Sequence, residues 1–413
     1  MINTNEELLK YLLSLRTGDY QLDNFEEFLK EINFTFNKPA IHISGTNGKG
    51  TVGTVLKNIY QEAGYKVGYF HSPYLYNPDE MIIYNNEQIS LKEIDEIISG
   101  YNGLISKYNL SEFEVETFIA LYYFEKMNVD LAVIECGLGG LYDATNVITP
   151  ILSIITSISM EHTALLGNSL TEIARHKAGI IKKGIPVLIG ELEEDALEVI
   201  KEVAAEHHSK IFTTSQYLFE ELEDDGYKFT YKPYNDLKIH SLALFSILDA
   251  SIALEAVSIL QEYFKVLEDS VRAAIAKTRL IGRMEIVHES PLVICDGAHN
   301  PAATHELKES IEKMRKEAQI HVIFAAFKDK NIERMFAELN FISNDITLTT
   351  FDHLRARKEE EYFLFLGEFR FDDNYKKVIS DKMKEFPNDI ILATGSLAFA
   401  AKVSKEFKDG DIK

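Results

Sequence analysis

Residues 41–51, which read IHISGTNGKGT, constrain the fold of this chain more than any other stretch. The apolar start is typical of the end of a buried strand, and residues 52–62 have the pattern of a helix. A strand, a glycine-rich turn and a helix N-terminus together form an anion site, because backbone N–H groups and the helix dipole point at the ligand. Lys49 adds a positive charge, so the stretch predicts a phosphate loop. Its spacing departs from G-x-x-x-x-G-K-[ST], and a glycine-rich turn in an unrelated unit remains the alternative.

Composition narrows the choice of partners. The 413 residues carry 43 lysines and arginines against 65 acids, a formal charge of −22. This balance argues against nucleic acid or an anionic membrane as a partner. We see no apolar run of membrane-spanning length and no signal-peptide pattern at the start. Cys136 and Cys295 each end an apolar run, so we expect two buried free thiols and a cytoplasmic protein.

The order of apolar and polar stretches predicts an α/β fold. Strand patterns alternate with helix patterns, which indicates a mostly parallel sheet. Polar clusters follow Ser44, Phe70, Ile134 and Ile155, and one site could collect them because ligands bind beyond the carboxyl ends of such strands.

The second half of the chain suggests a domain boundary. The pattern weakens between residues 191 and 240, where the charged run 220–225 is expected to be a solvated edge or loop. A linker near 280–285 precedes a second alternating region, so we predict domains at 1–281 and 282–413.

Further motifs follow the glycine loop at spaced positions. They are Ser72-Pro73 before a leucine, ECGLGG at 135–140 with DATN at 143–146, His162 with LG at 166–167 and KAGI at 177–180, Gly282-Arg283 with Glu285, DGAHNP at 296–301, KDK at 328–330 and TGS at 394–396. In their joint order, over about residues 40–400, they resemble the folylpolyglutamate synthase / dihydrofolate synthase family, a branch of the Mur ligases.

This resemblance implies a fold and a reaction. The fold would be an N-terminal P-loop ATPase domain with a mostly parallel sheet of the Mur ligase type, followed by a smaller C-terminal Rossmann-like domain. The reaction would join L-glutamate to a folate or dihydropteroate: ATP phosphorylates a carboxylate, and the amine attacks the acyl phosphate. A monomer that binds these small molecules, with no nucleic acid or membrane partner, is the family expectation.

The resemblance also assigns residues to ATP. Lys49 would be the catalytic phosphate-loop lysine, and a cation at a helix N-terminus is unfavourable without such an anion. Arg283 would reach the phosphates, while Asp296 and His299 would hold the ribose and the γ-phosphate region. The remaining candidates for ATP contacts are Gly45, Thr46, Asn47, Gly48, Gly50, Thr51 and Asn300. Lys330 and Ser396 are weaker candidates that could simply be helix-start residues.

Two Mg²⁺ sites are implied as well. Ser72 and Glu135 match the family's magnesium ligands, and a carboxylate that closes an apolar strand needs a reason to be buried. His162 matches a ligand of the second metal, although a lone loop histidine is more often structural. Lys177 matches the family's lysine carbamate, a further metal ligand with a catalytic role; an exposed lysine at a helix C-terminus is the alternative.

Four places depart from the family pattern. Leu141-Tyr142 stand where an arginine is usual, His176 replaces an acid, and residues 157–162 and 245–249 replace other family motifs. Contacts to the base and to the acid substrate are therefore less secure than those to phosphate and metal. Two alternatives stay open: a related Mur-type amide ligase acting on a non-folate acid, and an ATP-binding protein that has lost catalysis.

Overall fold

The computed structural model describes residues 2–16, 22–314 and 318–412. The chain divides into two compact units. Unit 1 comprises Met1–Leu218, Tyr231–Leu237 and Leu248–Thr278, and unit 2 comprises Phe219–Thr230, Lys238–Ile247 and Arg279–Lys413. The predicted domain boundary between residues 281 and 282 stays a prediction.

Unit 1 is built on an eight-stranded sheet. Its strands are β1 (Ala40–Ser44), β2 (Val67–Phe70), β3 (Ile82–Tyr84), β4 (Glu87–Gln88), β5 (Leu131–Glu135), β6 (Leu152–Ile155), β7 (Val187–Ile189) and β8 (Ile211–Thr213). They lie in the order β4-β3-β2-β5-β1-β6-β7-β8. All neighbours from β2 to β8 are parallel, so the predicted mostly parallel sheet is confirmed.

The remaining two strands form the predicted hairpin. β3 pairs antiparallel with both β2 and β4. Asn85 and Asn86 make its turn with φ of 47° and 69°. Asparagine tolerates this left-handed conformation, which a primed hairpin turn requires at both central residues.

Helices cover this sheet and start at local sequence signals. Those before residue 278 are α1 (Asn5–Leu13), α2 (Asp23–Glu31), α3 (Lys49–Glu62), α4 (Leu91–Lys107), α5 (Glu112–Lys126), α6 (Thr163–Leu166), α7 (Leu170–Ala178), α8 (Glu194–Glu206), α9 (Phe245–Ile259) and α10 (Glu268–Lys277). α1, α4, α5 and α7 each begin with a capping box, in which a Ser or Thr and a Glu three residues later satisfy the first amides. α3 instead starts at Gly48, without a side-chain cap.

The core of unit 1 is dense in aromatic rings on the α5 side. Phe28 and Phe118 meet edge to face with centroids 4.9 Å apart, and Tyr101 contacts both rings. Every residue of β1 and β5 is buried. This agrees with the continuous apolar runs that predicted these strands, because a parallel strand is covered on both faces.

Residues 191–240 contain more regular structure than their pattern predicted. Besides α8, they hold β9 (Phe219–Glu223), β10 (Gly226–Tyr231) and β11 (Tyr234–Ile239), a sheet in the order β11-β10-β9. The charged run at 220–225 overlaps β9, so it belongs to an edge, as one of the two expected readings had it. Charges on an edge strand discourage pairing with other chains, and this hid the strand in the sequence.

Unit 2 repeats the α/β alternation. Its later elements are β12 (Glu285–Glu289), β13 (Leu292–Cys295), α11 (Pro301–Met314), β14 (Ile320–Phe324), α12 (Ile332–Leu339), β15 (Asp345–Leu348), β16 (Arg370–Phe371), α13 (Tyr375–Glu385), β17 (Ile390–Thr394) and α14 (Leu397–Asp409). The strand order is β12-β13-β17-β14-β15-β16, with only β12 antiparallel to its neighbour. The predicted second α/β domain is confirmed; β12 and β16 were not predicted. Within the described ranges, no helix has the length and apolar character that crossing a membrane requires.

Candidate active site

Four neighbouring strand ends in unit 1 carry most of the predicted site. β2, β5, β1 and β6 are adjacent and parallel, so their carboxyl ends meet at one edge of the sheet. The residues after these ends include Ser72, Glu135, the glycine loop of residues 45–48 and the 156–162 segment. The expectation that the polar clusters share one edge is thus met by the strand order.

The glycine loop connects β1 to α3 as predicted. Gly48 has a φ of 85°, and a Cβ on it would lie 2.3 Å from Oδ1 of Asp249, so a side chain is excluded on both grounds. The Lys49 ammonium folds back over the loop and donates to the carbonyls of Gly45, at 2.9 Å, and Thr46, at 3.4 Å. The first-turn amides of α3 point away from the helix body, where an anion can accept from them.

A second loop holds the glycine loop in place. The amide of Thr46 donates to the carbonyl of Ser157 at 2.8 Å, and the amide of Asn47 to the Ser157 hydroxyl at 2.9 Å. The amide of Ser159 donates to the Thr46 hydroxyl at 3.1 Å, and the Thr156 hydroxyl to the carbonyl of Asn47. These bonds occupy the amides of residues 46 and 47, so phosphate contacts fall mainly to later residues of the loop.

Glu135 is held at the middle of this edge. Its side chain is buried, and Oε1 accepts a hydrogen bond from the Tyr69 hydroxyl. A Cβ on Gly53 would lie 2.7 Å from Oε1 of Glu135 and 2.7 Å from the Tyr69 ring. The glycine therefore lets α3 approach the carboxylate closely. Burial and then the charge of Glu135 raise the pKa of Tyr69 well above its usual value, which keeps the phenol a donor.

Lys177 lies in the same neighbourhood rather than in solvent. It ends α7 and is only 4% exposed, which contradicts the alternative of an exposed helix-terminal lysine. Burial, and then the charge of Lys49, lower its pKa to about 7, with Glu161 opposing this. His162 is half-exposed, with Nε2 3.9 Å from Oε1 of Glu161. Lys49, Lys177, Glu161 and His162 thus surround one region beside the phosphate loop.

The expected metal ligands suit Mg²⁺ only in part. In the three described ranges, no group of three or more His, Cys, Asp or Glu side chains is placed to hold a metal. Ser72 and Glu135 offer hard oxygen atoms from neighbouring strand ends, and Mg²⁺ commonly binds one or two such groups together with substrate phosphates. This donor set fits a magnesium ion that arrives with a nucleotide.

A buried network supports the turn after β5. The His42 Nε2 lies 2.8 Å from the Thr145 hydroxyl and 3.2 Å from Sγ of Cys136. Asp143 accepts from the amides of Leu138, at 2.7 Å, and Thr145, at 3.0 Å. Burial lowers the pKa of His42 to about 3 and raises that of Cys136 far above its usual value, so both are neutral. A Cys–His pair of this kind is structural, and the prediction of two buried free thiols is confirmed.

The residues that depart from the family pattern lie around the same edge. Leu141 and Tyr142 are exposed, and the Tyr142 ring meets the His176 ring at 5.7 Å. A Cβ on Gly179 would strike Leu141, so this turn packs on the C-terminus of α7. An apolar and aromatic surface thus stands where the family has a cation.

Unit 2 gathers a second set of predicted residues around the end of β13. Asp296 is buried and accepts from the amides of Met284, at 3.0 Å, and Ala298, at 2.8 Å. A Cβ on Gly297 would lie 3.0 Å from Nη1 of Arg283, which places the guanidinium over this turn. Burial raises the pKa of Asp296, against the opposing charges of Arg283 and then His299.

Two further candidates flank that turn. His299 Nδ1 lies 2.8 Å from the carbonyl of Gly297. Asn300 caps α11, because its Oδ1 accepts from the Ala303 amide at 2.8 Å. In this structure Asp296 and Asn300 hold backbone as well as being placed for a ligand.

The two weaker candidates lie at neighbouring strand ends, because β14 and β17 are paired. Ser396 occupies the N-cap position of α14 but makes no cap hydrogen bond, and its buried hydroxyl has no partner. The Thr394 hydroxyl is buried without a partner too. Lys330 is held on a loop whose carbonyls at Lys328 and Lys330 accept from Nη2 of Arg357, at 2.8 and 3.0 Å.

Sequence reasoning missed several residues of these sites. Tyr69, Thr156 and Glu161 contact or surround predicted residues, and Arg357 anchors the Lys330 loop. Only their proximity to strand ends could have indicated them, because each acts through another residue and belongs to no catalytic motif.

Comparisons with known proteins agree with this arrangement. Residues 43–242 match the Mur ligase middle domain, and residues 282–397 match the Mur ligase, glutamate ligase domain. The dihydrofolate synthase/folylpolyglutamate synthase of Bacillus subtilis (strain 168) is 32% identical over 89% of this chain and 90% of its own length.

Solved structures show the same likeness. Mycobacterium tuberculosis folylpolyglutamate synthase, complexed with ADP and AMPPCP, superimposes with a TM-score of 0.89 at 25% identity, over 97% of this chain and 98% of the other. E. coli FolC in complex with DHPP and ADP gives 0.88 at 27% identity, over 98% of both chains.

Proposed function

This chain belongs to the folylpolyglutamate synthase / dihydrofolate synthase family of the Mur ligases, and from that membership we propose that it joins L-glutamate to a pterin acid in an ATP-dependent reaction. The acid is dihydropteroate, a folate, or both. The observation that carries the proposal is the Gly45–Thr51 loop in its strand–loop–helix setting, with Glu135 at the end of the adjacent strand.

The chain's own residues can bring two anions together. The γ-phosphate of ATP and the substrate carboxylate repel each other, so positive charge and positioning supply most of the catalysis. Lys49 and the α3 amides bind the phosphates, with Gly45, Thr46, Asn47, Gly48, Gly50 and Thr51 shaping the loop. A carboxylate oxygen then attacks the γ-phosphorus and ADP leaves; the glutamate amine attacks the acyl carbon and phosphate leaves.

Magnesium would be held by Ser72 and Glu135, with His162 at a second site. The ion supplies charge neutralisation on the phosphates when bound. Tyr69 orients Glu135 through its hydrogen bond, and Gly53 leaves room for the carboxylate.

Lys177 is proposed to carry a carbamate. Its burial beside Lys49 favours an anionic form, and the family resemblance supplies the assignment. In that reaction the unprotonated amine adds CO₂ and loses one proton, which leaves a carboxylate. Mass spectrometry under CO₂-buffered native conditions would show the added mass, and its absence at every CO₂ pressure would exclude the carbamate.

Unit 2 contributes the remaining proposed roles. Arg283 binds phosphate oxygens, Asp296 and Asn300 bind the nucleoside, and His299 acts near the γ-phosphate. The unpartnered hydroxyl of Ser396 and the ammonium of Lys330 are available for a small polar substrate. A cytoplasmic location and a monomeric state stay predictions.

The test is turnover with defined substrates. The purified chain is incubated with ATP, Mg²⁺, L-glutamate and either dihydropteroate or tetrahydrofolate, and ADP release and product mass are followed. We expect glutamate-dependent ADP release with at least one acid. Lys49→Ala should abolish it, whereas Lys92→Ala, on the exposed face of α4, should leave it unchanged. No turnover with either acid would refute the folate assignment.

A second function is favoured by one observation. Leu141 and Tyr142 present apolar surface where the family has an arginine. A related amide ligase acting on a different acid would fit that surface. Amine-dependent ADP release confined to non-pterin acids would select it, and ATP binding without any turnover would indicate a protein that has lost catalysis.

A further inference from the structure

Glu116, in the second turn of α5, is a buried carboxyl group without a hydrogen bond. Its side chain is 6% exposed, and Oε1 has no partner. A buried acceptor without a donor destabilises a fold, so natural proteins retain few of them. An acceptor in this state is available to a ligand.

The position of Glu116 follows from its helical neighbours. Phe113, three residues earlier on the same helix face, stacks on Phe70, the last residue of β2, with centroids 5.7 Å apart and planes at 23°. A Cβ on Gly137 would lie 2.6 Å from the Phe113 ring. This end of α5 therefore packs on the strand ends that carry Ser72 and Glu135.

Tyr74 places the carboxyl group more closely. It lies two residues after Ser72, and the charges of Glu112 and Glu116 both raise its pKa, after burial. Glu116 thus lies between the loop that follows β2 and the first turn of α5. The aromatic rings of Phe113 and Tyr74 are on either side of this region of the helix.

The charge of this region decides which end of a substrate it can accept. Burial and then Glu112 raise the pKa of Glu116 well above its usual value, so the surroundings are both apolar and negative. A substrate carboxylate would be repelled here, whereas Lys49 and Lys177 attract one at the neighbouring strand ends. The region instead suits a flat ring with N–H donors.

We propose that Glu116 is a specificity-determining residue that binds the donor edge of the acid substrate's ring. A 2-amino-4-oxopyrimidine ring, as in a pterin, presents two adjacent N–H donors that match the two oxygens of one carboxyl group. The inference rests on the proposed function, because it concerns the acid that this ligase accepts. The ring then lies beside Phe113 and Tyr74, and its acid end extends towards the phosphate loop.

The test compares two ligands and three variants. Equilibrium binding of dihydropteroate, and of its analogue with a methyl group in place of the 2-amino group, is measured by fluorescence on the full chain. Wild type should prefer the 2-amino ligand by about 100-fold, because a site built for hydrogen bonds rejects an analogue that lacks them. Glu116→Leu should bind both ligands within about twofold of each other, with the KM for ATP unchanged.

The other two variants act as controls. Glu116→Gln keeps the shape and one acceptor, and should lose only part of the preference. Glu112→Gln removes a nearby charge but no proposed contact, and should keep the preference. Thermal unfolding of Glu116→Leu should be at or above that of wild type, because an unpartnered buried group has been removed.

Each result decides a separate question. If Glu116→Leu keeps the wild-type preference for the 2-amino ligand, this inference is wrong and the proposed function stands. If wild type turns over dihydropteroate but binds both ligands equally, the inference is again wrong. If wild type neither binds nor turns over any pterin acid, the proposed function and the inference fall together. Should Glu116→Leu not fold, the same comparison on Glu116→Gln decides.

Discussion

The close contact between α3 and Glu135 can be tested by adding a single methyl group. In Gly53→Ala the new Cβ would lie 2.7 Å from Oε1 of Glu135 and 2.8 Å from the Tyr69 hydroxyl. An ordinary contact needs 3.4 Å or more, so the carboxylate and the phenol must move by at least 0.7 Å. Their hydrogen bond is strained by the same change.

Two opposing effects set the size of the stability change. Alanine in a helix interior is more favourable than glycine by about 1 kcal/mol. Overpacking of a dense interior costs about 1–3 kcal/mol. We therefore expect Gly53→Ala to be destabilised by about 0–2 kcal/mol. Activity should fall far more, by about 100-fold in kcat, because a displacement near 1 Å in a catalytic group has that effect.

The assay pairs urea unfolding with steady-state kinetics of glutamate-dependent ADP release. Gly100→Ala in α4 is the matched control, because a Cβ there meets nothing within 4 Å. It should gain about 1 kcal/mol and keep full activity. If Gly53→Ala behaves like Gly100→Ala in both measurements, Glu135 has no part in the reaction and the site described above is wrong.

Three further expectations follow from other groups. Lys57 has a pKa lowered by burial to about 8, below the unfolded value, so stability should rise with pH between 8 and 10.5; Lys57→Met should remove that slope and stabilise the protein at pH 7 by at most about 3 kcal/mol, and an unchanged slope in urea unfolding would contradict this. Arg357→Ala should lower the stability of unit 2 by about 2 kcal/mol and raise the KM for glutamate through the loop that carries Lys330; unchanged values of both would show that the loop holds itself. Cys136 and Cys295 should resist thiol reagents in the native protein and react only after unfolding, and rapid native labelling would contradict their burial.

The sequence predicted the parts of the site that depend on topology. Continuous apolar runs identify β1, β2, β5 and β6, and parallel strands bring the residues after them to one edge. The placement of Glu135 and the glycine loop follows from that alone. It needs no knowledge of side-chain contacts.

The parts that were not predicted depend on side-chain direction in buried elements. Tyr69 lies on a strand covered on both faces, so no alternation shows that it points at Glu135. Glu116 lies in α5, which is buried on nearly all sides, and a helix without a polar face gives no signal for which acid is inside. β9 was obscured because its charged residues belong to an edge strand.

The position of β1 in the sheet has a consequence for the exchange of backbone amides with solvent. β1 is bonded to β5 on one side and to β6 on the other, and all five of its residues are buried. Its amides can exchange only when unit 1 opens as a whole, whereas β4 and β8 at the sheet edges can fray separately. The phosphate loop is thus tethered at one end to the slowest-exchanging segment of the unit. A nucleotide should consequently slow exchange in the loop itself, while local fraying at β4 and β8 continues at its unliganded rate.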